Sequence, residues 1–225
     1  KKQFPNLKIV ASEALQCPTL LMNGFGGHRV EGIGDKHVPW VHNVRNTDAV
    51  AAIDDEDCMR VLRLFNEDAG KNFLQSVGMA GEEVEKLSLI GISGICNLLA
   101  AIKAAKYFEL SGDDVVFTVF TDSVDLYRSR LRELHEERGA YTASQAAQDF
   151  AGPLQHQGID YFKELTYYDR KAIHNLKYFT WVEQQGRTSE ELVAQWEPEY
   201  WEDLFETEVN YFDELIQGFN NGGRK

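Results

Sequence analysis

The sequence predicts an α/β fold: a parallel sheet with flanking helices, followed by a helical C-terminal extension. In the first part of the chain, short β-branched runs alternate with helical patterns, which is typical of βαβ units and a parallel sheet. A glycine-flanked serine, Ser93, precedes a long apolar helix. From about Tyr141 the strand signals disappear and aromatic residues become frequent. We therefore predict two domains, an α/β domain over residues 1–140 and an aromatic-rich helical extension over 141–225.

Composition excludes several classes of function. The net charge of -13 repels phosphate backbones, so we expect no nucleic-acid partner. No apolar run is long enough to span a membrane, and we expect a cytoplasmic protein. Cys17, Cys58 and Cys96 are odd in number and far apart, which predicts reduced thiols in the core. The chain opens without a methionine and soon enters a strand, so we expect it to be a piece of a longer protein.

Three runs are predicted to be strands. They cover residues 8–11, 48–53 and 115–120, and the last has the strongest β-branched and aromatic pattern. It leads into Asp122 and Ser123. Ligands of open α/β sheets bind beyond the carboxyl ends of the strands, so these two residues are expected at the site.

The helix after Ser93 has a clear apolar period and an outer face with two lysines. Ser93 is predicted to be its N-cap, an arrangement that is also ordinary helix punctuation. The acidic run 54–57 is predicted to open an earlier helix, because it lacks the glycine and alternation of a calcium loop. Residues 69–86 are predicted to form a polar connection.

Two further patterns bear on ligand binding. The glycines of Gly32-Ile33-Gly34 would let the backbone approach a ligand or hinge over it, but the context does not fit a dinucleotide fold. The histidines at 28, 37 and 42 with Cys17 match no compact zinc spacing, so no metal site is predicted.

Four segments, taken together in order and spacing, carry a family resemblance. They are Lys8-Ile9-Val10-Ala11-Ser12-Glu13 with Pro18, Arg29-Val30-Glu31-Gly32-Ile33-Gly34 with Val38-Pro39, Gly91-Ile92-Ser93, and Val115-Val116-Phe117 with Asp122-Ser123. The chain from Lys1 to about Leu134 resembles the C-terminal half of the fold-type II pyridoxal phosphate enzymes, the cysteine synthase and cystathionine β-synthase family.

The resemblance implies pyridoxal 5'-phosphate as cofactor and β-elimination or β-replacement on an amino acid. Ser93 would meet the pyridine nitrogen, and Gly32, Ile33 and Gly34 would form the mobile loop over the substrate. The catalytic residues stay unknown, because the family's Schiff-base lysine and phosphate loop would lie upstream of this chain; Lys36 is no candidate. The expected partners are the amino-acid substrate, the missing N-terminal half and a second copy in a homodimer.

Departures from the family leave alternatives open. Residues 69–86 and the tail beyond Tyr141 have no counterpart in the compact members. A dehydratase or ammonia-lyase of the same fold acting on threonine, serine or diaminopropionate is one alternative. A cofactor-free interaction module, in which the aromatic helices mediate assembly, is another. The aromatic residues themselves are predicted to be core or interface residues rather than a ligand groove.

Overall fold

The computed structural model describes residues 3–222, and the chain forms two compact units. The first unit comprises Lys1–Lys36 and Asp48–Leu165, and the second comprises His37–Thr47 and Thr166–Lys225. These units divide the chain at other positions than the predicted domains. Residues 141–165 belong to the first unit, where Arg60 donates from Nε to Asp149 Oδ1 at 2.7 Å.

The elements of each unit follow in chain order. The strands are β1 (Val10–Ala14), β2 (Ala49–Ile53) and β3 (Phe162–Glu164). The helices of the first unit are α1 (Thr19–Met22), α2 (Asp55–Asn66), α3 (Asp68–Ser76), α4 (Gly81–Lys86), α5 (Ile92–Tyr107), α6 (Arg128–Arg138) and α7 (Ala143–Asp149). Those of the second unit are α8 (Tyr167–Lys177), α9 (Ser189–Ala194), α10 (Pro198–Asp203) and α11 (Val209–Gly222). Single turns of other helical types lie at Val44–Asn46, Leu87–Leu89, Val124–Tyr127, Phe150–Gln155, Tyr178–Val182 and Leu204–Glu208.

The fold is α/β as predicted, but the sheet is mixed rather than parallel. Strands β1 and β2 are parallel, with Val10 opposite Ala49. Strand β3 pairs with β2 in the antiparallel direction, with Glu164 opposite Ala49. All five residues of β2 are buried, as expected for the central strand of the order β1-β2-β3. The prediction that no strand follows residue 141 is wrong, because β3 lies at residues 162–164. Three residues are too few to show the alternating pattern of a strand.

Strand β1 runs further than predicted. The predicted strand ends at residue 11, yet residues 12–14 continue it. The polar side chains find tertiary partners there. Glu13 is 3% exposed and accepts from the backbone N–H groups of Leu20 and Leu21, both at 2.9 Å. Ser12 Oγ lies 3.4 Å from Cys96 Sγ. Hydrogen bonding therefore offsets the cost of burying these groups.

The predicted strand at 115–120 is wrong. The segment is irregular and pairs with no described strand. Its apolar side chains face solvent, with Val115 92% and Phe117 88% exposed. β-branched residues favour strands because they pack well on a half-buried sheet surface. No described strand offers residues 115–120 such a surface, so the segment does not form a strand.

The predicted helix after Asp54 is confirmed. Asp54 Oδ1 accepts from the backbone N–H of Glu56 at 2.9 Å, which caps α2. Most of residues 69–86 is helical, in α3 and α4, rather than a polar connection. Leu74 and Val84 are buried in the core, so α3 and α4 each have an apolar side despite their polar surface.

The core of the first unit lies between the sheet and helices α2 and α5. The buried cysteines are confirmed as core residues, since Cys17, Cys58 and Cys96 are all buried and free. Within residues 3–222, no single helix combines the length and apolar composition needed to cross a membrane. Residues 81–89 and 92–107 meet that composition only as a pair, and the pair is bent by 112°.

The second unit is organised around a buried lysine. Lys177 is 0% exposed, and its ammonium donates to Trp40 O at 2.9 Å, His42 O at 2.8 Å and Gln195 Oε1 at 2.9 Å. Burial lowers the pKa of Lys177 to about 8. Trp201 is also buried here, which agrees with a packing role for some of the aromatic residues.

His42 makes the second unit sensitive to acid. Burial, with a smaller contribution from the Lys177 ammonium, lowers the pKa of His42 from 6.5 to about 4. Between these pH values the unfolded chain binds a proton at His42 and the folded chain does not, so the free energy of unfolding decreases as the pH falls. We expect His42 to account for a loss of roughly 1 to 3 kcal/mol by the lower end of this window, measured by urea unfolding.

The variant His42→Gln should lose most of this pH dependence. His135→Gln is the matched control, because His135 lies exposed on α6. Other groups titrate in both variants, so the difference between them isolates His42. Identical pH profiles for His42→Gln and the parent chain would contradict the assignment.

Candidate functional site

The site begins at the first turn of α5. Gly91 precedes the helix in an extended conformation, with φ -78° and ψ -176°, and its N–H donates to Asp122 O at 2.9 Å. Ser93 is the second residue of the helix, so the prediction that it is the N-cap is wrong. Because Ser93 does not cap the helix, its hydroxyl can bond to a group from another part of the chain.

That contact is made with Thr121. The two hydroxyl oxygens of Ser93 and Thr121 lie 3.0 Å apart, and either can be the donor. Ser93 is 4% exposed, whereas Thr121 lies on the surface. The Ser93 hydroxyl is thus almost covered, with a second hydroxyl directly outside it.

The predicted loop lies against the predicted serine. Gly32 has φ +85°, and a Cβ added to it would lie 3.7 Å from Ser93 Cβ and 3.9 Å from Ser93 Oγ. Gly34 has φ +88° and faces His28 instead, since its carbonyl accepts from His28 Nε2 at 2.8 Å. Ile33 is partly buried and packs on the core. The structure therefore brings Gly32 to Ser93, while the other two loop residues contact other groups.

Ion pairs hold this loop. The Arg29 backbone N–H donates to Asp55 Oδ2 at 2.9 Å, and its guanidinium donates to Asp55 Oδ1 at 2.6 Å and Glu56 Oε2 at 2.8 Å. These bonds, first that to Asp55, raise the pKa of Arg29 above its ordinary value. Glu31 accepts from Arg130 Nη2 at 3.1 Å. Charged hydrogen bonds thus connect the chain just before Gly32 to α2 and α6.

Asp122 lies beside the start of α5 but is turned toward neighbouring protein groups. Its Oδ2 accepts from the Tyr127 hydroxyl, and its Oδ1 is buried with no partner among the described residues. Burial, and then the bond to this carboxylate, raise the pKa of Tyr127 above its ordinary value. Ser123 caps the next turn, accepting from Asp125 N–H at 3.4 Å. The carboxylate stands near the positive end of the α5 dipole, which stabilises it.

Sequence reasoning missed Thr121 and Tyr127. Thr121 directly precedes Asp122, so its hydroxyl is a local signal for a polar contact at this point of the chain. The Tyr127 contact depends on how the chain turns after Ser123, and no local pattern shows it. Asp122 was predicted on the strength of a strand that does not form, yet it reaches α5 through its backbone bond to Gly91.

The Ser93 hydroxyl is the kind of group that the ring nitrogen of pyridoxal phosphate would meet. Because Thr121 can donate to Ser93, the serine can direct its own proton to a ring nitrogen, which is an acceptor. Gly32 leaves the adjoining space without a side chain. No described residue is assigned to the phosphate or aldehyde end. Among residues 3–222, no group of three or more His, Cys, Asp or Glu side chains could hold a metal ion.

Comparison with known proteins supports the sequence resemblance. No protein-family model matches the chain. Cysteine synthase B of Campylobacter jejuni is 26% identical over 129 residues, which are 57% of this chain and 36% of that protein. Cysteine synthase of Staphylococcus aureus strain Mu50 is 28% identical over 129 residues, again 57% of this chain and 36% of that protein.

A solved structure is also similar in sequence. The hydrogen sulfide-producing enzyme of Fusobacterium nucleatum aligns at 24% identity over 66% of this chain and 38% of that chain, with a TM-score of 0.43. The matched part of this chain covers 36% of each cysteine synthase, so the chain spans about a third of the length of the curated relatives it matches. The similarity to the two cysteine synthases confirms the predicted resemblance.

Gly91 should be intolerant of any side chain. A Cβ there would lie 1.9 Å from Asp122 Oδ1 and 2.9 Å from the Tyr127 ring. We expect Gly91→Ala to lower the free energy of unfolding by about 1 to 3 kcal/mol, because overpacking must displace these groups. Urea unfolding measures the change, and Gly112→Ala is the control, since nothing lies within 4 Å of its added Cβ.

A double-mutant cycle tests the cause. In an Asp122→Ala background the Gly91→Ala substitution should cost less, because the overlapping oxygen is gone. An equal cost in both backgrounds would show that Asp122 does not occupy this position.

Proposed function

We propose that this chain forms part of a pyridoxal phosphate-dependent enzyme that catalyses β-elimination or β-replacement on an amino acid. The observation that carries the proposal is the position of Gly32 beside Ser93 at the start of α5, in a chain similar to cysteine synthases. The lysine that binds the cofactor covalently and the loop for its phosphate belong, in this proposal, to a missing N-terminal half. The complete enzyme would act as a homodimer.

Ser93 would set the protonation of the cofactor ring. The bound cofactor supplies the electron sink that lets a β-substituent leave. A serine hydroxyl donates to a neutral nitrogen but brings no negative charge to hold a proton there. The start of α5 also disfavours a nearby positive charge. Ser93 would thus keep the nitrogen unprotonated, which weakens the sink and favours loss of the β-substituent over transamination.

The loop 32–34 would open and close over Ser93. Its two glycines have positive φ values, +85° and +88°, so the backbone can change without side-chain clashes. The chain before it is fixed by Arg29 on Asp55. Because Ser93 is 4% exposed, a ring nitrogen can reach it only when its cover moves. Closure would then exclude water from the reacting amino acid.

The activity can be tested on the complete polypeptide, in which this chain is joined to the proposed N-terminal half. Purified with pyridoxal phosphate, it should show the visible absorbance of the bound cofactor and either release sulfide from cysteine or exchange the β-substituent of an activated serine. Deamination of serine or threonine would instead identify the dehydratase alternative. A protein that binds no cofactor under these conditions would support the interaction module and contradict the proposal.

Charge at position 93 should control turnover. Ser93→Asp should lower elimination by at least about tenfold, equivalent to 1.4 kcal/mol in the barrier, because its carboxylate would hold the ring nitrogen protonated. Ser93→Asn introduces a side chain of the same size as Asp but without its charge, so this variant should turn over clearly faster than Ser93→Asp. Steady-state kinetics of the two variants measure the difference. Equal rates would rule out a role for charge, and parental rates in both would rule out the contact.

Loop motion should depend on Gly32. Gly32→Ala forces an L-residue into the left-handed region at about 1 to 2 kcal/mol and narrows the space beside Ser93. We expect turnover to fall about tenfold while cofactor content changes little. Gly27→Ala is the control, since nothing lies within 4 Å of its added Cβ. If Gly32→Ala and Gly27→Ala have the same activity, this loop does not cover the substrate.

A further inference from the structure

The last helix of the chain presents an uncovered apolar stripe. Helix α11 spans Val209–Gly222, and every residue from 205 to 222 is exposed. The apolar side chains on one of its faces have large exposed fractions. They are Val209 at 43%, Phe212 at 54%, Leu215 at 50%, Ile216 at 56% and Phe219 at 81%. Exposed apolar surface of this extent marks an interaction site.

The spacing identifies the kind of surface. Val209, Phe212, Ile216 and Phe219 are separated by three or four residues, so they form one line along the helix. This is the pattern of a helix that buries a stripe against another helix. At 1.5 Å per residue the line from Val209 to Phe219 is about 15 Å long, enough for a short contact with another helix.

The charge around the stripe is strongly acidic. Between Thr188 and Gly222 the sequence has ten Asp and Glu residues and no Lys, Arg or His. Asp213 lies one turn from both Val209 and Ile216, on the border of the stripe. Glu208 lies one turn before Phe212. Carboxylates therefore stand directly beside the apolar side chains, without basic residues in the last turn.

We propose that α11 binds a basic amphipathic helix of a partner protein. Apolar side chains of that helix would pack on the stripe, and its flanking Lys or Arg residues would meet Glu208 and Asp213. Complementary charge across an apolar seam selects the partner and speeds association. A second copy would bring carboxylates against carboxylates in a two-fold contact. An anionic membrane surface would repel the same groups.

Designed peptides test the proposal on the full chain. The probe is a fluorescent helical peptide of three heptads with leucine along one line and lysine beside it. The matched control peptides replace every lysine by glutamate or every leucine by serine. By fluorescence anisotropy, we expect the lysine peptide to bind at least about tenfold more tightly than either control, with affinity falling as salt is raised.

Variants locate the binding surface. Phe212→Ser with Ile216→Ser should weaken binding at least about tenfold, while Tyr168→Ser, at another residue that is 81% exposed, should not. Reversing charge with Glu208→Lys and Asp213→Lys should turn the preference toward the glutamate peptide. All these side chains are exposed, and unchanged far-ultraviolet circular dichroism checks the fold.

Three results would overturn the proposal. Equal affinity for the lysine and glutamate peptides would show that charge does not select the partner. Concentration-dependent self-association that Phe212→Ser abolishes would assign the stripe to a second copy. Binding to phosphatidylserine vesicles in place of the lysine peptide would assign it to a membrane surface.

Discussion

One backbone hydrogen bond organises the candidate site. The N–H of Gly91 donates to the carbonyl of Asp122 at 2.9 Å, which brings an otherwise irregular segment to the start of α5. This contact places the Thr121 hydroxyl 3.0 Å from that of Ser93. Glycine at position 91 is a condition for it, because a side chain would overlap the Asp122 carboxylate.

The electrostatics of the site follow from the same arrangement. The first turn of α5 has unpaired N–H groups and the positive end of the helix dipole. Asp122, with a buried oxygen that lacks a described partner, is stabilised by that field and by the Tyr127 hydroxyl. Ser93 is a neutral group in the same field. The Ser93 hydroxyl would thus donate a hydrogen bond to a ligand atom without placing a negative charge beside it.

Local sequence patterns predicted the elements that are set by neighbouring residues alone. Strand β2 is a short apolar run, and α2 has its cap at Asp54, so both were predicted with the correct type. Tertiary partners decided the rest. Glu13 can continue β1 because the backbone N–H groups of Leu20 and Leu21 donate to its carboxylate. The run 115–120 forms no strand because no described strand lies beside it. Ser93 and Gly32 stood out by their glycine-rich surroundings and the family resemblance linked them to one cofactor site, but their proximity is visible only in the folded chain.

Ser93 is proposed to hold a cofactor nitrogen in its unprotonated state. The most direct measurement is nitrogen NMR of the complete enzyme carrying pyridoxal phosphate that is isotope-labelled at the ring nitrogen. We predict the chemical shift of an unprotonated, hydrogen-bonded pyridine, with a clear change in Ser93→Ala. The shift of a protonated pyridinium, or a signal that Ser93→Ala leaves unchanged, would contradict the claim.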